Sequence, residues 1–241
     1  MDRPKLYSGT RNASSWAMRA WLALREAEIE FDEEIVDIRS PQRFVNLAKV
    51  GSFSPPAMVP VLVAGKAVIF DSLAIMEYAN DRCGGRLLPQ EVVGRAKARS
   101  IMAWQHSGLS NICSRISFES TFYPFKRALI QAELTECDRL FAFLEASLGQ
   151  SGGPYLCGEL SLADLMLVPV VIRLSRHHPP MAAWPVVQKW TAELQSRASV
   201  TEWISDADRL PHIWFDEYLV PGQDIALTDA RTANRAGQPV P

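Results

Sequence analysis

The chain has 241 residues, of which 48% are hydrophobic and 22% are charged, and its formal net charge is −2 at pH 7. These proportions are ordinary for a globular protein, and the length allows one large or two modest domains. The charge balance argues against a nucleic-acid or anionic-membrane partner, and no apolar run approaches the ~18 residues of a membrane span.

The N-terminus and the cysteines indicate the cellular compartment. Met1 to Pro4 lead directly into a strand-like segment and lack the apolar core of a signal peptide. The four cysteines lie far apart and form neither a CxxC motif nor a metal-ligand pattern; they are Cys83, Cys113, Cys137 and Cys157. We therefore expect reduced thiols, a cytoplasmic location and no metal site.

The N-terminal third of the chain alternates strand-like and helix-like stretches. Strands are predicted over 5–8, 30–38, 59–63 and 67–70, and helices over 14–27, 41–49 and 73–78. The last two strands flank Ala64-Gly65-Lys66, which is a hairpin pattern. This order, β-α-β-α-β-β-α, describes a small mixed sheet with helices on its faces.

After Glu91 the strand-like alternation stops, and helical periodicity predicts long helices over 93–119, 125–149, 161–178 and 183–206. Glycine and proline punctuate the segment between the two patterns. We therefore predict a first domain over 1–83, a linker over 84–92 and an all-helical domain over 93–220. The polar remainder, 221–241, is predicted to be a flexible tail.

Three segments, taken in this order, resemble the cytosolic glutathione transferases. They are LYSGTRNASSWAMRAWLAL at 6–24, VPVLVAGKAVIFDSLAIMEYAND at 59–81 and GELSLADLMLVPVV at 158–171. The SSW at 14–16, followed by Arg19, is most similar to a group of bacterial members. The resemblance implies a thioredoxin-like N-terminal domain, an all-helical C-terminal domain, glutathione as co-substrate and a homodimer.

By this resemblance, the second segment binds glutathione. A cis peptide bond before Pro60 would present the backbone of Val59 to the peptide backbone of glutathione, like an added strand. Asp71 and Ser72 would hold the γ-glutamyl carboxylate at the N-terminus of a helix, where backbone N–H groups favour an anion. Met58 departs from the family pattern, because a polar residue is common there and methionine cannot donate a hydrogen bond.

The family lowers the pKa of the glutathione thiol with a hydrogen-bond donor at the start of the first helix. Aligned on Arg19, the usual serine position falls on Asn12, and the Thr10-x-Asn12 spacing matches bacterial members that use Thr and Asn. Aligned on the bacterial cysteine-type pattern, the same position falls on Ser14. We favour Ser14 over Asn12, with Thr10 and Ser15 as weaker candidates. This turn contains no cysteine, which argues against thiol-exchange chemistry.

The second substrate is expected against the helical domain, where the candidate residues are His106, Ser107, Arg115 and Arg173. Aromatic residues over 118–125 favour a small apolar or aromatic electrophile. In the third segment, Ser161 and Asp164 form a capping box, which we interpret as purely structural.

The leading hypothesis for function is a glutathione transferase that activates the thiolate for attack on an electrophile. Within the enzyme class, glutathione-dependent cis–trans isomerisation is an alternative. The rival outside that class is a non-catalytic binding or scaffold protein, supported by Asn12, Ala13 and Met58 at positions where other residues are usual in the family.

Overall fold

The computed structural model of the protein describes residues 3–39, 41–108 and 116–220. The N-terminal elements are β1 (Lys5–Gly9), α1 (Ser15–Glu26), β2 (Asp32–Val36), α2 (Arg43–Gly51), β3 (Val61–Ala64), β4 (Ala67–Phe70) and α3 (Ser72–Arg82). The helices α4 (Val92–Gly108), α5 (Gln131–Gln150), α6 (Leu162–His177), α7 (Pro185–Ser196) and α8 (Ala198–Asp208) follow, with short 3₁₀ turns at Glu119–Phe122 and Asp216–Tyr218. Within these described ranges, no helix is both long enough and apolar enough for a membrane crossing.

The four strands form one mixed sheet in the order β2-β1-β3-β4. Strand β1 runs parallel to β2, whereas β3 is antiparallel to both β1 and β4. The β3–β4 hairpin turns at Gly65, whose φ of 60° lies in the left-handed region that glycine adopts without strain. The predicted fold, a thioredoxin-like domain followed by an all-helical domain, is therefore confirmed.

Helix α1 joins the two parts of the molecule. Its Arg19 side chain is fully buried, its Nε atom donates to the Met166 carbonyl of α6 at 2.9 Å, and Nη1 donates to the Ser15 carbonyl at 3.2 Å. A buried guanidinium must be satisfied in this way, because an unpaired charge away from water is strongly destabilising. Arg19 therefore fixes the start of α1 against the middle of α6.

The predicted capping box at α6 is confirmed. The Asp164 carboxylate is fully buried and accepts from the Ser161 N–H and hydroxyl, the Leu156 N–H and the Trp190 indole N–H, at 2.7 to 3.0 Å. One side chain thus caps α6, holds the preceding loop and anchors α7, as expected for a structural residue.

Three predicted helices differ from the structure. The helix predicted over 125–149 begins only at Gln131, because the backbone N–H of Arg127 donates to the Tyr218 carbonyl and so pairs this segment with the C-terminal segment.

The helix predicted over 183–206 is two helices, α7 and α8, separated at Arg197. Arg197 has an extended backbone (ψ 137°), and its guanidinium donates to Glu26 and Tyr155. Helical periodicity continues through both breaks, which arise from tertiary contacts. The helix predicted over 93–119 is described only to Gly108, and Glu119 lies in a 3₁₀ turn.

Candidate functional site

The loop between β1 and α1 is held by several parts of the fold. The Thr10 hydroxyl donates to Asp37 Oδ1 at 3.3 Å and accepts from the Ile38 N–H at 3.1 Å. The Asn12 Nδ2 atom donates to the Pro211 carbonyl at 3.0 Å, and the side chain is 1% exposed. Thr10 therefore uses its hydroxyl proton within the fold, and Asn12 is enclosed against the C-terminal segment.

Arg11 anchors this loop to the last helix. Its guanidinium lies over the rings of Trp21 and Trp203, at 5.0 and 4.6 Å, and pairs with Glu33 at 2.6 Å. In return, the Trp203 indole N–H donates to the Arg11 carbonyl at 3.1 Å. Sequence reasoning missed Arg11, and its partners are too far away along the chain for a local signal.

Ser14 is the N-cap of α1. Its Oγ atom accepts from the Ala17 N–H at 3.1 Å, and no other hydrogen bond of this hydroxyl occurs among the described residues. A Cβ atom built on Gly9 would lie 2.6 Å from the Ser14 Cβ atom and 3.0 Å from the Val59 Cγ2 atom. Ser14 therefore lies beside the end of β1 and next to Val59, and its hydroxyl proton has no acceptor among the described residues.

Ser15 contacts the helical domain directly. Its Oγ atom accepts from Arg173 Nη2 of α6 at 3.3 Å, and both side chains are buried. The Arg173 guanidinium also lies 5.3 Å from the centroid of the Phe118 ring. This contact adds a positive charge to the partial positive charge of the α1 N-terminus, so anions are favoured beside Ser14 and Ser15.

The predicted cis bond between Val59 and Pro60 is present. The preceding Met58 side chain is 62% exposed. At the start of α3, Asp71 has a φ of 75°, which is rare for a residue other than glycine, and its Oδ1 accepts from the Leu73 N–H at 2.8 Å. Ser72 is 2% exposed, and its hydroxyl lacks a hydrogen-bond partner among the described residues.

Of the other second-substrate candidates, His106 lies near the start of α3 and Ser107 lies on the exposed side of α4. His106 Nε2 lies 3.4 Å from Asp71 Oδ2, and its ring meets the Trp16 ring edge-on at 5.3 Å between centroids. His106 is therefore close to the predicted carboxylate site at the start of α3. Ser107 is exposed, and its hydroxyl donates to the Ala103 carbonyl of its own helix. Arg115 lies outside the described residues.

An aromatic cluster covers the loop from the C-terminal side. The Tyr123 hydroxyl donates to the Ile213 carbonyl at 2.6 Å and accepts from the Phe215 N–H at 2.8 Å, and the ring packs on Trp214 at 4.4 Å. Burial raises the pKa of Tyr123 well above its usual value, so the hydroxyl keeps its proton. Ala13 packs against this cluster. The concentration of aromatic residues over 212–218 was the one sequence signal for it.

Across the site, the structure brings Ser14 to Val59, Ser15 to Arg173, and Asp71 to His106. Three elements of the thioredoxin-like part and two helices of the helical part thus meet around the N-terminus of α1. In the described part of the chain, no group of three His, Cys, Asp or Glu side chains is arranged to hold a metal ion.

Comparison with protein-family models identifies both parts of the chain. Residues 13–82 match the glutathione S-transferase N-terminal domain, and residues 127–193 match the glutathione S-transferase C-terminal domain.

Individual relatives agree with these matches. A probable maleylacetoacetate isomerase 2 of Drosophila melanogaster is 31% identical over 80% of this chain and 84% of its own length. The maleylacetoacetate isomerase of Mus musculus is 32% identical over 80% of this chain and 88% of its own length. Among solved structures, a glutathione transferase homologue from Sulfitobacter, crystallised with bound glutathione, superposes with a TM-score of 0.65 at 21% identity, covering 87% of this chain and all of that one.

Proposed function

The chain belongs to the glutathione S-transferase family of enzymes, and from that premise we propose that it binds glutathione and uses its thiolate to isomerise an unsaturated keto acid. The observation that carries this proposal is the hydroxyl proton of Ser14, which lies at the N-terminus of α1 beside Val59 and has no acceptor within the described part of the chain. The similarity to the SSW-containing bacterial members stays a prediction.

The proposed glutathione site extends from the cis-proline to the start of α3. The backbone of Val59 would pair with the cysteinyl unit of glutathione, as a strand pairs at a sheet edge. The Ser72 hydroxyl, buried and without a partner among the described residues, fits the γ-glutamyl carboxylate, which would also accept from backbone N–H groups at the start of α3. Asp71 and His106, which face each other across this end, fit the charged amino group beside that carboxylate. Met58 offers no donor, so the glycyl end would depend on other groups.

We assign thiolate stabilisation to Ser14 rather than to Asn12. A group that stabilises a thiolate must donate a hydrogen bond, and Ser14 has a hydroxyl proton to donate. One of the two Asn12 amide N–H groups already donates to the Pro211 carbonyl and holds that side chain against the C-terminal segment, while the Thr10 proton goes to Asp37. The α1 N-terminus and the nearby charge of Arg173 add to the stabilisation. Each pKa unit of lowering corresponds to about 1.4 kcal/mol of preference for the thiolate.

The second substrate is proposed to be acidic. The guanidinium of Arg173, next to Ser15, favours an anionic group, and the isomerase relatives act on maleylacetoacetate, a keto acid with a cis double bond. The thiolate would add to the activated double-bond carbon while the electron pair moves to the conjugated carbonyl oxygen. Rotation about the resulting single bond and expulsion of the thiolate then restore the double bond in trans, and glutathione is regenerated.

A second candidate is transfer of glutathione to an apolar electrophile. Trp16, at the first turn of α1, is 38% exposed and offers an aromatic surface next to His106. A non-catalytic scaffold role is less well supported, because it would not require the Ser72 hydroxyl and the Ser14 proton to lack partners, as both do in the described residues.

The test compares Ser14→Ala with Asn12→Ala. Calorimetric titration with glutathione, together with ultraviolet thiolate absorbance over a pH series, would give the affinity and the pKa of the bound thiol. For Ser14→Ala we expect retained binding, a thiol pKa higher by about 1 unit or more, and glutathione-dependent turnover at least about 10-fold lower. Asn12→Ala should leave the pKa of the bound glutathione thiol within a few tenths of a unit of its value in the wild-type protein. The opposite pattern would assign the role to Asn12, and a wild-type protein that fails to bind glutathione would refute the enzyme proposal.

We further expect a homodimer in the cytoplasm. Strand β4 lies at the edge of the sheet, where Val68 and Phe70 are 38% and 44% exposed, and Val92 and Val93 at the start of α4 are also exposed. An apolar sheet edge of this kind is usually covered in the native assembly. Light scattering that gave a stable monomer would count against this expectation.

A further inference from the structure

Gln105, on α4, carries a buried amide without a partner. Its side chain is 2% exposed, and neither Nε2 nor Oε1 has a hydrogen-bond partner among the described residues. An amide offers two N–H donors and a carbonyl acceptor, and leaving them buried and unpaired is destabilising. Leucine or methionine would fill a similar volume without that cost. A bound ligand that forms hydrogen bonds with the Gln105 amide would offset the cost of burying it.

The neighbours of Gln105 along α4 connect it with the candidate site. The next residue, His106, contacts Trp16 on the first turn of α1 and Asp71 at the start of α3. Gln105 itself follows Ala98 and Met102 at helical spacing, on the buried side of α4. Helix α4 packs against α6, the helix whose Arg173 bonds to Ser15. The buried side of α4, on which Gln105 lies, therefore packs towards the helix that carries Arg173.

The chemistry of the Gln105 amide and the Arg173 guanidinium indicates the class of ligand. An amide N–H recognises carboxylate or ketone oxygens, and an amide oxygen recognises an enol or acid hydroxyl. Arg173, on the facing helix, favours a negative charge in the same region. A hydrocarbon or a simple aromatic ring would leave both atoms of the Gln105 amide unpaired. Among candidate second substrates, an oxygen-rich keto acid satisfies these groups best.

We propose that Gln105 determines second-substrate specificity by pairing its amide with the carboxyl or ketone oxygens of a keto acid. This inference rests on the proposed function, since it assumes that the reaction takes place at the start of α1. It assigns Gln105 a role in recognition and none in forming the thiolate.

The test substitutes Gln105→Met and assays two substrates with glutathione: maleylacetoacetate, which carries the oxygens, and benzyl isothiocyanate, which lacks them. We expect KM for maleylacetoacetate to rise by about 10-fold or more, because a site that has lost its hydrogen-bonding partner discriminates strongly. The kcat/KM for benzyl isothiocyanate and the glutathione affinity should stay within about twofold. The Tm should rise or stay unchanged, since an unpaired buried amide has been removed.

Met102→Leu is the matched control, because it alters the same buried side of α4 without removing a polar group. It should affect both substrates alike. If Gln105→Met folds poorly, Gln105→Glu provides a second test. Its carboxylate should weaken maleylacetoacetate binding further as pH rises, and it should leave benzyl isothiocyanate turnover little changed.

The outcomes separate this inference from the proposed function. A wild-type protein that uses glutathione on benzyl isothiocyanate but neither binds nor converts maleylacetoacetate would overturn the proposed keto-acid isomerisation and this inference with it, while leaving glutathione binding in place. Equal effects of Gln105→Met on both substrates, or no effect on either, would show that the amide has no role in recognition. A wild-type protein that binds no glutathione would overturn both proposals.

Discussion

The substitution Tyr123→Phe tests whether the C-terminal segment is held over the site loop by a single hydroxyl. The Tyr123 hydroxyl donates to the Ile213 carbonyl and accepts from the Phe215 N–H, and all three residues are buried. Removing it takes one hydrogen bond from each of two backbone groups, at a cost of about 1–3 kcal/mol each. The ring stays packed on Trp214, so little apolar contact is lost. We therefore expect the segment to lose about 3 kcal/mol of stability.

Native-state hydrogen exchange is the appropriate assay, because the loss concerns one segment and global unfolding would report only part of it. The Phe215 amide should exchange about 100-fold faster in the variant, since each 1.4 kcal/mol is a factor of about ten. Urea unfolding gives the global value for comparison. The control is Tyr78→Phe, whose hydroxyl accepts from Arg82 Nη1 at an exposed site. It should change stability by less than about 0.5 kcal/mol.

Equal exchange rates at Phe215 in wild-type protein and Tyr123→Phe would refute the reasoning. So would a global destabilisation no larger than that of the control. Either result would mean that packing around Trp214 holds the segment and that the hydroxyl adds nothing measurable.

Three further predictions follow from the same structure. Gly9→Ala should lower glutathione-dependent turnover by about 10-fold or more, because the new Cβ atom would lie 2.6 Å from the Ser14 Cβ atom and displace it; Gly149→Ala, where the space is open, should retain full turnover. Asp164→Asn should lower the free energy of unfolding by about 3 kcal/mol in urea titrations, because an NH₂ group would face two donors; a loss below about 1 kcal/mol would contradict this. Burial, with a contribution from Lys126, lowers the pKa of His177 to about 4. The unfolded chain therefore takes up that proton first as pH falls from about 6.5 to 4, and stability should drop by up to about 3 kcal/mol, a dependence that His177→Gln should flatten.

Local patterns in the sequence predicted most of the fold. The order of strands and helices, the hairpin at Gly65 and the capping box of Ser161 and Asp164 depend on residues close together along the chain. The cis bond before Pro60 followed from the family resemblance, and the structure contains it. The two leading candidates for the thiolate donor, Ser14 and Asn12, also come from the sequence, and their role stays a prediction.

Our preference for Ser14 depends on contacts between distant parts of the chain. The Ser15–Arg173 hydrogen bond spans 158 positions, and the Asn12–Pro211 hydrogen bond spans 199. The late start of α5 has the same origin, because the segment before it pairs with Tyr218 instead of continuing the helix.

What the sequence by itself determined was therefore the set of elements and the residue types available at the start of α1. Periodicity, caps and turns act over a few positions, so they can be read from the chain. Only the tertiary structure decided which hydroxyl proton and which buried amide lack a partner among the described residues, and which guanidinium lies beside Ser15. The reason is that hydrogen bonds and burial depend on which surfaces meet, and no local pattern encodes that meeting.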